Sequence, residues 1–172
     1  RMAPRNVLVP NSPKVHAQPE QAAYPTDRQI RFLEDIWECP FAGVVERYRR
    51  LGVSRRKGNA WKEACIAHGW VSAVEVPTRS GRIVLLELTK KGRRFVKGSE
   101  EVPKKSRWGG LEHEYWKHRA SVTLREAGYE VDIETPVNGF TDLVVTRDGH
   151  RIAVEVETGK SDWRANVRKN QK

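Results

Sequence analysis

The sequence predicts a chain of the α+β and α/β classes built from two units. The first is a set of helices closed by a β-hairpin; the second is a helix leading into a small mixed sheet. Three observations carry this reading. Apolar residues recur at helical spacing from Thr26 to His68 and then give way to two alternating runs, Trp70–Val76 and Arg82–Leu88. A charged stretch containing Gly98, Pro103 and Gly109 then interrupts all periodicity. Beyond it, Leu143–Thr146 and Ile152–Val156 flank Arg147-Asp148-Gly149-His150, and Asp-Gly between alternating apolar runs is a strong hairpin signal.

Composition narrows the function classes. The 172 residues are 38% hydrophobic and 31% charged, enough for small cores but not for one large one. The net charge of +10 favours a polyanionic partner, most often nucleic acid. No apolar run approaches membrane-spanning length and no basic amphipathic helix carries a bulky apolar face, so a membrane role is not expected. Two cysteines, Cys39 and Cys65, are too few for a disulfide framework, and with no secretory signal peptide a reducing cytoplasm is the expected location. The chain opens at Arg1, which allows either a piece of a longer protein or a tag remnant ahead of Met2.

Residues 1–26 read as an irregular arm, because Pro4, Pro10, Pro13, Pro19 and Pro25 prevent long regular structure. Residues 27–98 read as a compact domain. Thr26 or Asp27 caps a helix through about Glu38, with Ile30, Leu33, Ile36 and Trp37 inward. A second helix, from about Ala42 to Leu51, turns Val44, Val45, Tyr48 and Leu51 inward, and Gly52 stops it. Ser54 caps a third, through about His68. Two strands joined by Pro77-Thr78-Arg79-Ser80-Gly81 and a helix from Thr89 to Val96 complete the unit.

Three helices followed by a basic hairpin is the order of a winged helix-turn-helix. Arg55, Arg56, Lys57, Asn59 and Lys62 lie at the N-terminus or on the outer side of the third helix. Arginine there suits guanine and asparagine suits adenine in a major groove. Arg79 and Arg82, on the hairpin tip, are expected to reach phosphates or the minor groove. Residues 99–109 form the linker, where Lys104 and Lys105 add candidate phosphate contacts. The competing reading is a solvated basic face, or a winged helix that contacts protein.

Residues 110–172 carry the candidate chemistry. An amphipathic segment runs from Leu111 to Ala127, with Leu111, Tyr115, His118 or Arg119, Val122 and Leu124 on its apolar stripe and Glu112 at the margin. On the hairpin, Asp142 shares a face with Val144 and Thr146, and Glu155 shares one with Ala153 and Glu157. Residues two apart on a strand lie roughly 6.5–7 Å apart, so one hairpin brings three carboxylates into one region. Grouped carboxylates at the edge of a core repel and resist desolvation, and a hard cation with oxygen ligands removes that conflict. The plain alternative is a half-exposed strand with both glutamates in water. Ser161 caps a last, strongly basic segment containing Arg164 and Arg168.

Three other candidate motifs are rejected. In His113-Glu114-Tyr115-Trp116-Lys117-His118 the second histidine comes one position too late for a zincin pair on one helix face. Gly159-Lys160-Ser161 lacks the earlier glycine of a Walker A loop, since Val154 stands there. Cys65 and His68 have no second pair to complete a zinc site.

The order helix with Glu112, strand, strand with Asp142, strand with Glu155, then helix resembles the core of the PD-(D/E)xK nuclease superfamily, whose fold is restriction-endonuclease-like. The resemblance covers roughly residues 110–172 and implies a DNA endonuclease using Mg²⁺ or Mn²⁺. Asp142 and Glu155 would be ligands and Glu112 an additional one. Glu157 stands where the family usually has lysine, and Lys160 is the nearest replacement; Glu157 would then be a third ligand or a general base. That departure supports the alternative, an inactive nuclease-like fold serving as a DNA-binding or protein-docking module. The family's core adds a strand after the last helix, so the resemblance also implies a truncated domain with an open sheet edge. With LELTKKGR, LEHEYWKHR and VEVETGKSD, the paired units resemble C-terminal regions of HerA/FtsK-type ATPases and mobile-element proteins, which implies an ATPase upstream. A transcription regulator, the third possibility, predicts dimerisation and a palindromic site.

Overall fold

The computed structural model describes residues 24–96, 110–136 and 140–159, together with 164 and 168. The architecture is α+β: among these residues five helices accompany two antiparallel sheets. Helix α1 (Asp27–Glu38) begins at a capping box in which the Thr26 hydroxyl accepts from the Gln29 backbone while the Gln29 side chain accepts from the Thr26 backbone. Helix α2 (Val44–Arg50) follows, then α3 (Arg55–Ala67), whose N-cap Ser54 accepts from the Lys57 backbone. Strands β1 (Val71–Thr78) and β2 (Gly81–Leu88) pair from Val71↔Leu88 to Thr78↔Gly81. The short helix α4 (Lys90–Arg93) closes the unit.

One core holds these elements together. Phe32, Leu33 and Ile36 of α1 meet Tyr48, Cys65, Trp70, Leu86 and Val96, and each is nearly or wholly buried. Each such side chain contributes about 1.5–3 kcal/mol by leaving water. The expected inward set of α2 needs one correction. Val45 is 47% exposed, and Arg47 is buried in its stead. The reason is Asp35 on α1, whose Oδ2 accepts from Arg47 Nη1 and whose Oδ1 accepts from Arg50 Nε at 2.6 Å. Arg47 Nη2 also donates to the Cys39 and Ala42 carbonyls, at 2.9 and 3.2 Å. Burial pulls the Arg47 guanidinium down while the Asp35 charge pulls it up.

The second unit starts with α5 (Leu111–Glu126), followed by β3 (Glu130–Pro136), β4 (Phe140–Arg147) and β5 (His150–Val154) in the order β3-β4-β5. The turn between β4 and β5 is the expected Asp-Gly hairpin: Asp148 and Gly149 have φ of 51° and 75°, the left-handed pair that matches strand twist. A mixed sheet was expected; among the described residues this sheet is wholly antiparallel. The apolar stripe expected on α5 is not what it buries. Leu111, Tyr115 and Val122 are only partly covered, and Lys117 and Ser121 are the buried pair. No helix among the described residues is long and apolar enough to cross a membrane.

Two outcomes follow from the first core. Asp35→Ala strands a buried guanidinium and should cost about 3–5 kcal/mol in chemical denaturation, and adding Arg47→Met should recover part of that loss. Burial pushes the Cys65 thiol up to about 11. Its contribution to stability is complete below the ordinary thiol value and fades as pH rises towards about 11. At about pH 8, alkylation followed by mass spectrometry should therefore label the partly exposed Cys39 and spare Cys65 until the protein unfolds.

Candidate nucleic-acid interface and carboxylate site

Helix α3 is fixed from below by α2. Gly58 packs against the Tyr48 ring so closely that an added Cβ would lie 2.4 Å from it, and the Tyr48 hydroxyl donates to Asn59 Oδ1 at 3.1 Å. This contact locks the rotation of α3 and leaves its opposite side outward. Arg55, Arg56 and Lys57 are exposed there in the first turn, at the positive end of the helix dipole. Asn59 is exposed and keeps its amide N–H groups for a partner, its oxygen being used by Tyr48. Lys62 is engaged with Glu63 at 3.0 Å. At the hairpin, Arg79 is exposed at the tip, and Arg82 pairs with Glu75 at 3.0 Å across the strands. Exposed pairs of this kind are worth little and exchange readily for phosphate. Lys104 and Lys105 lie outside the described residues; Arg164 and Arg168 are exposed at helical positions.

The carboxylate site sits where α5 meets the end of the second sheet. Asp142 Oδ1 lies 2.9 Å from His113 Nε2 on α5, and Asp142 Oδ2 accepts from the Val156 backbone at 2.9 Å. As a carboxylate Asp142 only accepts, so the imidazole hydrogen in this pair sits on Nε2. The β4–β5 ladder ends at Leu143↔Val154, and its next step would set Asp142 opposite Glu155. The Asp142 side chain takes up a backbone N–H just past that point, and β5 stops at Val154. Glu155 is thus partly buried immediately beyond the strand, whereas Glu157 is exposed and Glu112 is partly covered in the first turn of α5. Lys160 lies outside the described residues.

One residue of this site carries no signal in the sequence. His113 reaches across 29 positions to Asp142, and spacing alone gives no hint of it. Lys117 lies one turn further along the same edge of α5, its side chain 5% exposed and its Nζ 2.8 Å from Glu114 Oε1. Next to Asp142 on β4, the Thr141 hydroxyl is buried with no hydrogen-bond partner among the described residues. Among the described residues no three His, Cys, Asp or Glu side chains form a metal-holding group. Asp142 itself suits a hard cation: each oxygen accepts one hydrogen bond and keeps a further lone pair, and two protein donors already fix its orientation.

Comparisons with protein-family models, with curated proteins and with solved structures return no match to this chain. The helix–sheet bond can be weighed directly. His113→Ala should lower stability by about 1–3 kcal/mol in urea denaturation, because it leaves a mostly covered carboxylate short of one donor. His113→Gln, which can still donate, should cost less.

Proposed function

We propose that the chain is a DNA-binding protein in which a winged helix-turn-helix unit holds duplex DNA and a PD-(D/E)xK-type unit cleaves a phosphodiester. The observation that carries the second half is the double anchoring of Asp142 by His113 and the Val156 N–H. A carboxylate held in one orientation at a sheet end, in register with a second carboxylate one step beyond the β4–β5 ladder, suits one half of a ligand pair.

In this reading Asp142 and Glu155 hold Mg²⁺ or Mn²⁺, with Glu112 as a further oxygen donor. When bound, the cation supplies Lewis acidity at the scissile phosphate. The protein's own residues do the rest. His113 keeps Asp142 aimed and accepts no load from the substrate. Lys117, one turn beyond His113 and paired with Glu114, would be the positive charge in place of the family's lysine position, which is here the exposed Glu157. Glu157 is left to act as a base toward water or as a further ligand. The first turn of α3 enters the major groove, with Arg55, Arg56, Lys57 and Asn59 at base edges and phosphates. Arg79 and Arg82 follow the adjacent backbone.

A second reading is favoured by the same geometry. Both oxygens of Asp142 are already met by protein donors, so the site is satisfied as a structural joint, and the chain would then bind DNA without cutting it.

Supercoiled and branched DNA incubated with Mg²⁺ or Mn²⁺ separates the two. Metal-dependent cutting by the wild type, reduced at least about 100-fold in Asp142→Asn and Glu155→Gln with duplex affinity unchanged, is the expected result. Arg55→Glu/Arg56→Glu should weaken duplex binding by about tenfold or more and flatten its salt dependence. Tight binding with no cutting by any form would establish the binding module.

A further inference from the structure

A cleft of about 830 Å³ opens between the α1–α2 connection, the β1–β2 hairpin and α5. Its size is in the range that encloses a nucleotide-sized ligand. Four guanidiniums line it, Arg50, Arg55, Arg82 and Arg119, against two carboxylates, Glu38 and Glu46. Arg50 is committed to the buried Asp35, whereas Arg82 makes only an exposed pair with Glu75, which is worth little. Among the described residues Arg55 and Arg119 make no ion pair, and both are exposed. The cleft is also aromatic. Phe41 and His118 stack at 4.7 Å with planes 22° apart, bringing a ring of the first unit onto a ring of α5, and Tyr115 lines the same wall.

We propose that this cleft is a binding channel for a single-stranded nucleic-acid segment. Bases would stack on the Phe41–His118 ring pair, and phosphates would meet Arg55, Arg82 and Arg119. Cationic walls with flat rings between them are how sequence-tolerant strand binding works, since every base has a face to stack. Strandedness follows from access. In a duplex the base faces are covered by their neighbours, and only edges reach a groove, so rings that stack on a base face can be met only by an unpaired base. The cleft also shares Arg55 with the first turn of α3 and Arg82 with the hairpin. A strand leaving a duplex at those residues would therefore continue into it. The substrate class this defines is a duplex with a single-stranded branch or overhang. The strand-binding claim itself does not require that the Asp142 site cleave.

The test is fluorescence anisotropy of the full chain with oligothymidylate of about 15 nucleotides and, separately, with a blunt duplex. His118→Ala/Arg119→Gln alters two exposed side chains and leaves the core untouched. It should weaken oligothymidylate binding by about tenfold or more while changing blunt-duplex affinity by less than about twofold. Phe41→Leu, which keeps an apolar side chain but removes the ring, should reproduce much of the loss. Arg151→Gln, which removes an exposed cation on β5, should not. The proposal is overturned if the wild type fails to bind oligothymidylate, if the double variant binds it as well as the wild type, or if Arg151→Gln causes an equal loss. The blunt-duplex arm reports on α3 by itself, so failure of the strand channel and failure of duplex binding are read apart.

Discussion

The carboxylate of Asp35 is the constraint on which the first unit depends. It accepts from Arg47 and Arg50 together, and Arg47 extends the network to the carbonyls of Cys39 and Ala42, which have left the regular ladder of α1. Removing two charges from water is costly, and the arrangement is tolerable because nearly every polar group in it has a partner. It ties α1 to α2 through Arg47 and Arg50. Helix α2 carries Tyr48, Tyr48 meets Gly58 and Asn59, and these contacts fix which side of α3 faces outward. The basic first turn of α3 is thus aimed from the far side of the core by an acid.

A comparable device operates in the second unit with less burial. Asp142 substitutes a side-chain oxygen for the next ladder acceptor and ends β5, while its other oxygen ties the sheet to α5. Structure and candidate chemistry therefore draw on one group. A carboxylate used this way is held more rigidly than a surface ligand, which is an advantage for aiming a cation and a cost if that cation must displace a donor.

Much of the fold was legible in the sequence because local signals were strong. Thr26 with Gln29, Ser54 before Arg55, and Asp148-Gly149 each fix a chain direction through a bond or dihedral that needs no distant partner. The failures share one cause. Hydrophobic spacing places Val45 inward and an apolar stripe on α5, yet Arg47 is buried on α2 beside the expected Tyr48, and Lys117 and Ser121 are buried on α5. A polar side chain is buried only when a partner waits for it, and for Arg47 that partner is on another helix. Within the candidate site Asp142 stood out by its chemistry, whereas His113 did not, since its role exists only once α5 lies against β4. Glu155 was read as a strand residue and sits just past the strand, because Asp142 takes the Val156 N–H that ladder extension would have involved.

Helix α5 joins places that the sequence keeps apart. Its 16 residues span about 24 Å, and His113 and His118 lie on it little more than one turn from each other. His113 touches Asp142, and His118 touches Phe41 of the other unit. A helix does not flex appreciably over one turn, so it acts as a short shaft: a twist that reseats one imidazole also turns the other. Whatever coupling free energy α5 carries between a ligand at one contact and a ligand at the other is the same in both directions.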